Sequence, residues 1–159
     1  MRTLIAGIVL IVAATLASAT HAQVPQYGAP IDLEQAKKAV AAAEAEAKKN
    51  SWPVAIAIVD QHGLLVAFEK MDNTQTGSVQ IAIDKAASAA MYRRSTKVFQ
   101  DAVAGGGAGL RALNLRGAST VEGGLPISVD GKIIGAIGVS GVNADQDGMV
   151  AKAGADAFK

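Results

Sequence analysis

The chain alternates between stretches with helical and with strand periodicity. Leu33, Ala36, Val40, Ala43 and Ala47 recur at three- and four-residue intervals, the stripe of an amphipathic helix. Asp32 and Gln35 stand where a capping box would open that helix, and Asn50 and Pro53 bracket its exit. In SWPVAIAIVD (51–60), Val54, Ile56 and Ile58 alternate with Ala55, Ala57 and Val59. Both sets are apolar, so the pattern predicts a central strand covered on both faces. Asp60 to Gly63 reads as a turn, with Gly63 suited to positive φ. LLVAFEKM (64–71) returns as the second strand of a hairpin, and a polar loop follows from Asp72 to Gly77.

The second half repeats the theme. SVQIAIDKAASAAMYRR (78–94) is predicted helical, capped by Ser78 and packing through Val79, Ala82, Ile83, Ala86 and Ala90. A shorter helix follows, capped by Ser95 or Thr96 and reaching Val103. AGGGAG (104–109) is expected to be a flexible loop, and LRALNLRGAST carries no clear period. LPISV and KIIGAIGVS are strands joined by Asp130-Gly131, a dipeptide suited to a type I′ turn. A last helix is expected from Asp145 to Phe158, with Asp145 or Asp147 near its positive end. Two hairpins among helices argue for an antiparallel sheet with helices packed on it.

Gly135, Gly138 and Gly141 lie three apart inside a strand. A dinucleotide loop needs its glycines on a strand-to-helix turn, and a phosphate loop needs a Gly-Lys-Ser/Thr ending. Neither is present. Glycine within a strand marks close approach of another element, and alanine-faced helices suit such gaps.

The N-terminus follows a different pattern. Arg2 precedes an apolar run from Leu4 to Leu16, and small residues stand at Thr20 and Ala22. This is the layout of a secretory signal, and the run is shorter than the roughly 20 residues that span a bilayer. The expected division is a signal over residues 1–22 and a single domain over 23–159, periplasmic or secreted, with no stable membrane anchor once the signal is removed. QVPQYGAP (23–30) is an extended lead-in. The whole chain carries a net charge of +1, and loss of Arg2 balances the rest, unlike the basic footprint of a nucleic-acid binder. With no cysteine, the domain holds no disulfide, thiolate-ligated haem or Fe–S cluster.

Several pieces in order resemble the GlcG/HbpS-like haem-binding family, also described as a haem-degrading domain. They are LEQAKKA, WPVAIAIVD, the Asp60–Gly63 turn before LVAFEKMD, AIDKAASAA with RRSTK, GGLPI, DGKIIGAIGVSG and QDGMVAKAG. The resemblance covers about Leu33 to Ala157. It implies an α/β (α+β) domain of profilin-like fold, with a five-stranded antiparallel sheet and helices on it. It also implies homo-oligomers, and haem binding in some exported members as carrier, buffer or redox sensor, with slow haem degradation in a few. A related domain is fused to corrinoid adenosyltransferases. The alternative function is a small-molecule binder or accessory enzyme subunit acting on an organic acid or corrinoid. Two departures stand out: Ser95 where the family has proline, and the glycine-rich loop at 105–109.

Haem iron takes an imidazole, thioether, phenolate or thiolate. His21 leaves with the signal, so His62, on the predicted hairpin turn, is the one histidine of the remaining domain. Met71, Met91 and Met149 offer thioethers, and Tyr92 and Tyr27 phenolates. Arg93, Arg94 and Lys97 form a basic cluster that suits the two propionates of haem, and that equally complements a helix C-terminus. Thr96, in the same segment, either caps the next helix or faces the ligand. Lys85 is free to reach another element or a neighbouring subunit. Ser140, Asp60 and His62 make no catalytic triad, because Ser140 has no nucleophile-elbow context.

Overall fold

The computed structural model describes residues 24–159; the signal segment and His21 lie outside the described residues. Helix α1 (Leu33–Lys49) begins at the expected capping box: Asp32 accepts from Gln35 N, and Gln35 reaches back to Asp32 N. Its buried face is Ala36, Ala39, Val40, Ala43 and Ala47. Leu33, read as part of that stripe, is exposed.

Strands β1 (Ala55–Asp60) and β2 (Leu65–Lys70) form the first hairpin, and β3 (Gly124–Val129) and β4 (Lys132–Ser140) the second. All pairings are antiparallel, in the order β2-β1-β4-β3. Asp130 and Gly131 both take positive φ, 50° and 73°, as a type I′ turn requires. The fifth strand implied by the resemblance is not found among the described residues. The hydrophobic pattern itself supplies only four. The lead-in, with Pro25 and Pro30 lacking donors, makes a single parallel bridge from Tyr27 to Ile133.

Helix α2 (Ser78–Tyr92) covers one face of the sheet, and α1 with α4 (Ala144–Asp156) the other. Val54, Ile56 and Ile58 join the core under α1 and α4. Ala55, Ala57 and Val59 meet Ala82, Ala86, Ala89 and Ala90 of α2. β1 is buried along its length apart from Asp60, as expected of a doubly covered strand. Gly138 is where α2 comes closest. A Cβ there would lie 2.0 Å from Ala82 O and 2.4 Å from Ala86 N. Gly135 faces the other way, and its near neighbours are Val59 O and Ile31, not an alanine-faced helix.

Local details differ at two helix starts and in one loop. Ser78 does not cap α2. Its side chain is buried and its Oγ accepts from Gln75 Nε2 and pairs with Ser140 Oγ. Helix α3 (Lys97–Ala104) has no side-chain cap from Thr96, while Ser95 Oγ accepts from Lys97 N. After Gly105 the chain enters a 3-10 helix, Gly107–Asn114, where a loop was expected at 107–109. Gly106 and Gly107 supply the positive φ that turns the chain into it.

Candidate functional site

Helix α2 stops at Tyr92 because Arg93 adopts the left-handed conformation, with φ 54° and ψ 38°. From that turn the basic cluster fans out. Arg93 Nη1 donates to Pro25 O at 3.3 Å, and its guanidinium lies 5.2 Å from the Tyr27 ring centre. Arg94 Nε donates to Tyr92 O at 3.1 Å and its guanidinium lies 5.7 Å from the Phe99 ring centre. Lys97 pairs with Asp101 at 2.7 Å. The three cations therefore do not converge on one anion as the sequence suggested.

Thr96 is fully buried: its N donates to Gly124 O, and its Oγ1 accepts from Gly124 N. It staples the start of α3 to β3 and presents no hydroxyl to a ligand. Lys85 is likewise internal. Its Nζ sits 2.8 Å from Asp147 Oδ2 and 2.9 Å from Val139 O, and 1% of the residue is exposed. Lys85 does reach another element, tying α2 to β4 and α4, but its ammonium is occupied and shut off from a ligand. Burial raises the Asp147 carboxyl above the usual aspartate range, opposed by Lys85 and by backbone N–H donors including Val142. The sequence signal for this pair was Lys85 amid alanines on a packing helix. Its partner, 62 residues later, could not be named from spacing.

Met71 is half-buried after β2, beside Trp52, on the rim of a cavity of about 560 Å³ that also holds Glu44 and Glu69. Met149 is exposed. Tyr27 OH donates to Ala90 O at 2.9 Å, and Tyr92 OH to Arg116 O at 2.7 Å. Both phenols are thus tied to backbone carbonyls. Tyr92 also packs edge-on against Phe99, with ring centres 5.2 Å apart. His62 is exposed on the β1–β2 turn, where Asp60 Oδ1 accepts from His62 N and Leu64 N.

The outward face of α2 brings two of the candidates near each other. Ile81, Asp84, Ala87 and Met91, spaced at three and four residues, line a mostly apolar cavity of about 610 Å³ with residues 117–121. The loop wall is held to the helix by Tyr92 OH on Arg116 O and by Ser119 N donating to Ser88 Oγ at 2.9 Å. Asp84, the lone carboxylate of the lining, accepts from Gln80 Nε2 at 2.8 Å. Gly117 leaves room for the Met91 methyl: a Cβ there would stand 3.0 Å from Met91 Cε. The Gly63 turn packs on the same stretch, its Cβ position 3.5 Å from Ala87 and from Met91 Cγ. Met91 therefore lines the recess, and the turn bearing His62 packs against Met91 without itself being part of the lining.

A family model described as haem degrading protein HbpS-like matches residues 31–156. The chain belongs to the HbpS-like family. Among its HbpS-like relatives, protein GlcG of Escherichia coli K12 is 42% identical over 110 residues, covering 69% of this chain and 81% of GlcG. An uncharacterised 15.0 kDa protein of Citrobacter freundii, from a dhaT-dhaS intergenic region, is 37% identical over 135 residues, 84% of this chain and 95% of its own length. Among solved structures, the PduOC:heme complex superposes with a TM-score of 0.73, with 27% identity, covering 82% of this chain and 96% of that one. The antiparallel sheet with helices is thus the HbpS-like arrangement, and the haem in that complex is a property of that neighbour.

Proposed function

We propose that this protein binds haem in the recess between α2 and the 117–121 loop. The observation that carries the reading is a mostly apolar cavity of about 610 Å³ with the Met91 thioether side chain on its lining, beside which the Gly63 turn packs on Met91. Thioether and imidazole are both haem-iron ligands: Met91 stands on the lining, His62 is exposed on the adjoining turn, and Ile81, Ala87 and Val121 supply apolar walls. Arg116 precedes the lining residue Gly117 in the chain and would be the cation offered to a propionate. Haem, when bound, would supply a redox-active iron.

The residues of the chain then have separable tasks. Met91 and His62 would hold the iron. Ile81 and Val121 would exclude water from the porphyrin faces. Tyr92 and Ser88 keep the loop wall in place through the bonds to Arg116 and Ser119, so little ordering is left for binding to oppose. Family membership and the haem-bound neighbour support the choice of ligand.

Titrating the purified protein with hemin tests the reading. A saturable Soret band is expected, with its position changed in Met91→Leu and His62→Ala. No Soret band at micromolar protein overturns haem binding. An unchanged spectrum in both variants overturns this location.

Export, with roles as haem carrier, buffer or redox sensor outside the cytoplasm, is proposed on the pattern of residues 1–22. The mass of the protein recovered from the periplasm or medium checks it: a full-length mass there refutes cleavage. Homo-oligomers are proposed on the exposed Leu110, Leu113, Leu115 and Val121, and a monomeric sedimentation profile refutes them.

A further inference from the structure

A second cavity, of about 390 Å³, opens between β3, the end of α4 and the lead-in. Its floor is Leu125, Pro126, Ile133 and Ala155, and Arg93, Lys152 and Lys159 stand on its lining. It shares no lining residue with the recess on α2. We infer that this cavity is a binding site for a small organic acid, one carboxylate on a short apolar body, with Arg93 as the carboxylate receptor.

Three features converge on Arg93. Its backbone holds the left-handed conformation that ends α2, a position that glycine fills without strain. Arginine is uncommon at such a position. The guanidinium is held in place from one side: Pro25 O takes Nη1, and the Tyr27 ring lies beneath it at 5.2 Å. Tyr27 is itself fixed by its hydroxyl on Ala90 O. An arginine fixed this way keeps further N–H groups in a rigid fork that matches a carboxylate. Among the described residues Arg93 has no ion-pair partner.

The rest of the lining agrees in charge and polarity. Asp156 is shared by Lys152 and Lys159 and is held below the usual aspartate range, first by Lys152 and then by Lys159. That trio keeps one positive charge, and Arg93 adds another. The cations also offset the C-termini of α2 and α4, but that role requires no apolar floor. A pocket of this size with an apolar base and a few placed polar groups is suited to a small molecule. The carboxylate would meet Arg93, and the hydrocarbon would cover Leu125, Pro126 and Ala155.

Calorimetric titration with hexanoate, hexanamide and inorganic phosphate tests the inference. Hexanoate is expected to bind saturably at one site, and hexanamide at least about tenfold more weakly, for loss of a charge-assisted pair. Phosphate, which lacks the apolar body, is expected to bind more weakly than hexanoate. Arg93→Gln should weaken hexanoate at least about tenfold. Ala155→Phe, which fills the floor and leaves every charge, should abolish binding and answers the question if the Arg93 variant fails to fold. No saturable hexanoate binding, equal affinity for the amide or phosphate, or unchanged affinity in a folded Arg93→Gln or Ala155→Phe protein each overturns the site. Hemin titrations of the same variants are expected to match the parent, so the two sites fail or stand separately.

Discussion

Replacing Gly138 by alanine adds one methyl group where α2 and β4 have no room for it. The new Cβ would sit 2.0 Å from Ala82 O, 2.4 Å from Ala86 N and 3.0 Å from Ala86 Cα. Ordinary contact begins near 3.4 Å, and all three obstacles are helix backbone, which has no rotamer to change. The helix must therefore withdraw by more than about 1 Å, and a gap of that size forfeits a quarter to a half of each dispersion contact it opens. The contacts at stake are those of Ala82, Ala86, Ala89 and Ala90 with Ala55, Ala57, Val59 and Ala136. Overpacking commonly costs 1–3 kcal/mol, and a rigid clash along a whole helix puts this case at about 3 kcal/mol or above. For a domain of this length that lowers Tm by roughly 10 °C. Gly77→Ala is the control. It stands before α2 at φ −63° with nothing within 4 Å, so alanine there should be neutral or stabilise by up to about 1 kcal/mol. Urea unfolding and thermal melts followed by circular dichroism measure both. A Gly138→Ala protein within about 0.5 kcal/mol of the parent would refute the close-approach account of the strand glycines.

Lys85→Met leaves the Asp147 carboxylate buried without its ammonium, and should cost about 3–5 kcal/mol in urea unfolding. Adding Asp147→Leu should recover most of that loss; a double variant no more stable than Lys85→Met alone refutes the pair as the cause. Glu69 faces Glu44 across α1 and β2, and its carboxyl is raised, first by burial and then by the Glu44 contact. A carboxyl raised in the folded state is a liability above its folded pKa, and the cost disappears as pH falls toward the unfolded value. Glu69→Gln should therefore raise Tm at neutral pH, with the gain shrinking on acidification toward the ordinary glutamate range; a gain that grows in acid refutes the assignment. Thr96→Val keeps the shape of a buried side chain while leaving Gly124 N without its acceptor, and should cost about 1–3 kcal/mol in urea unfolding. No measurable loss would show that the Thr96–Gly124 bond does not hold α3 to the sheet.

What was legible in the chain was whatever has a local period or a local stereochemical demand. The two hairpins, the Asp130–Gly131 turn and the capping box at Asp32 follow from alternation, positive φ and the orphan N–H groups of a helix start. Gly138 was legible too, because only a close neighbour explains a bare position in a strand so aliphatic. The 3-10 turn at Gly107–Asn114 was not, since glycine permits many conformations and selects none. Ser78 and Thr96 were misread for a related reason. A hydroxyl beside a helix start has both a local use and a distant one, and here Ser140 and Gly124 provide the distant ones.

The functional groups show the same division more sharply. Arg93, Arg94 and Lys97 are near in sequence, but the left-handed turn at Arg93 sends them to three neighbours: Tyr27, Phe99 and Asp101. Met91 and His62 are 29 positions apart in the chain, yet the turn at Gly63 packs on Met91. Proximity in sequence therefore misleads about charge clusters at a helix end, where each residue's direction changes with the backbone. Sites are assembled instead by what the sheet brings together. β1 sits beneath α2, so the turn that ends β1 emerges beside the helix and meets Met91, while the 117–121 loop closes the recess from the other side. The same order leaves β3 at the sheet edge beside α4, which opens the cavity under Arg93. Two recesses with different chemistry, one mostly apolar with the Met91 thioether on its lining and one cationic over an apolar floor, thus arise from a single α2 helix: one along its outward face and the other at its end.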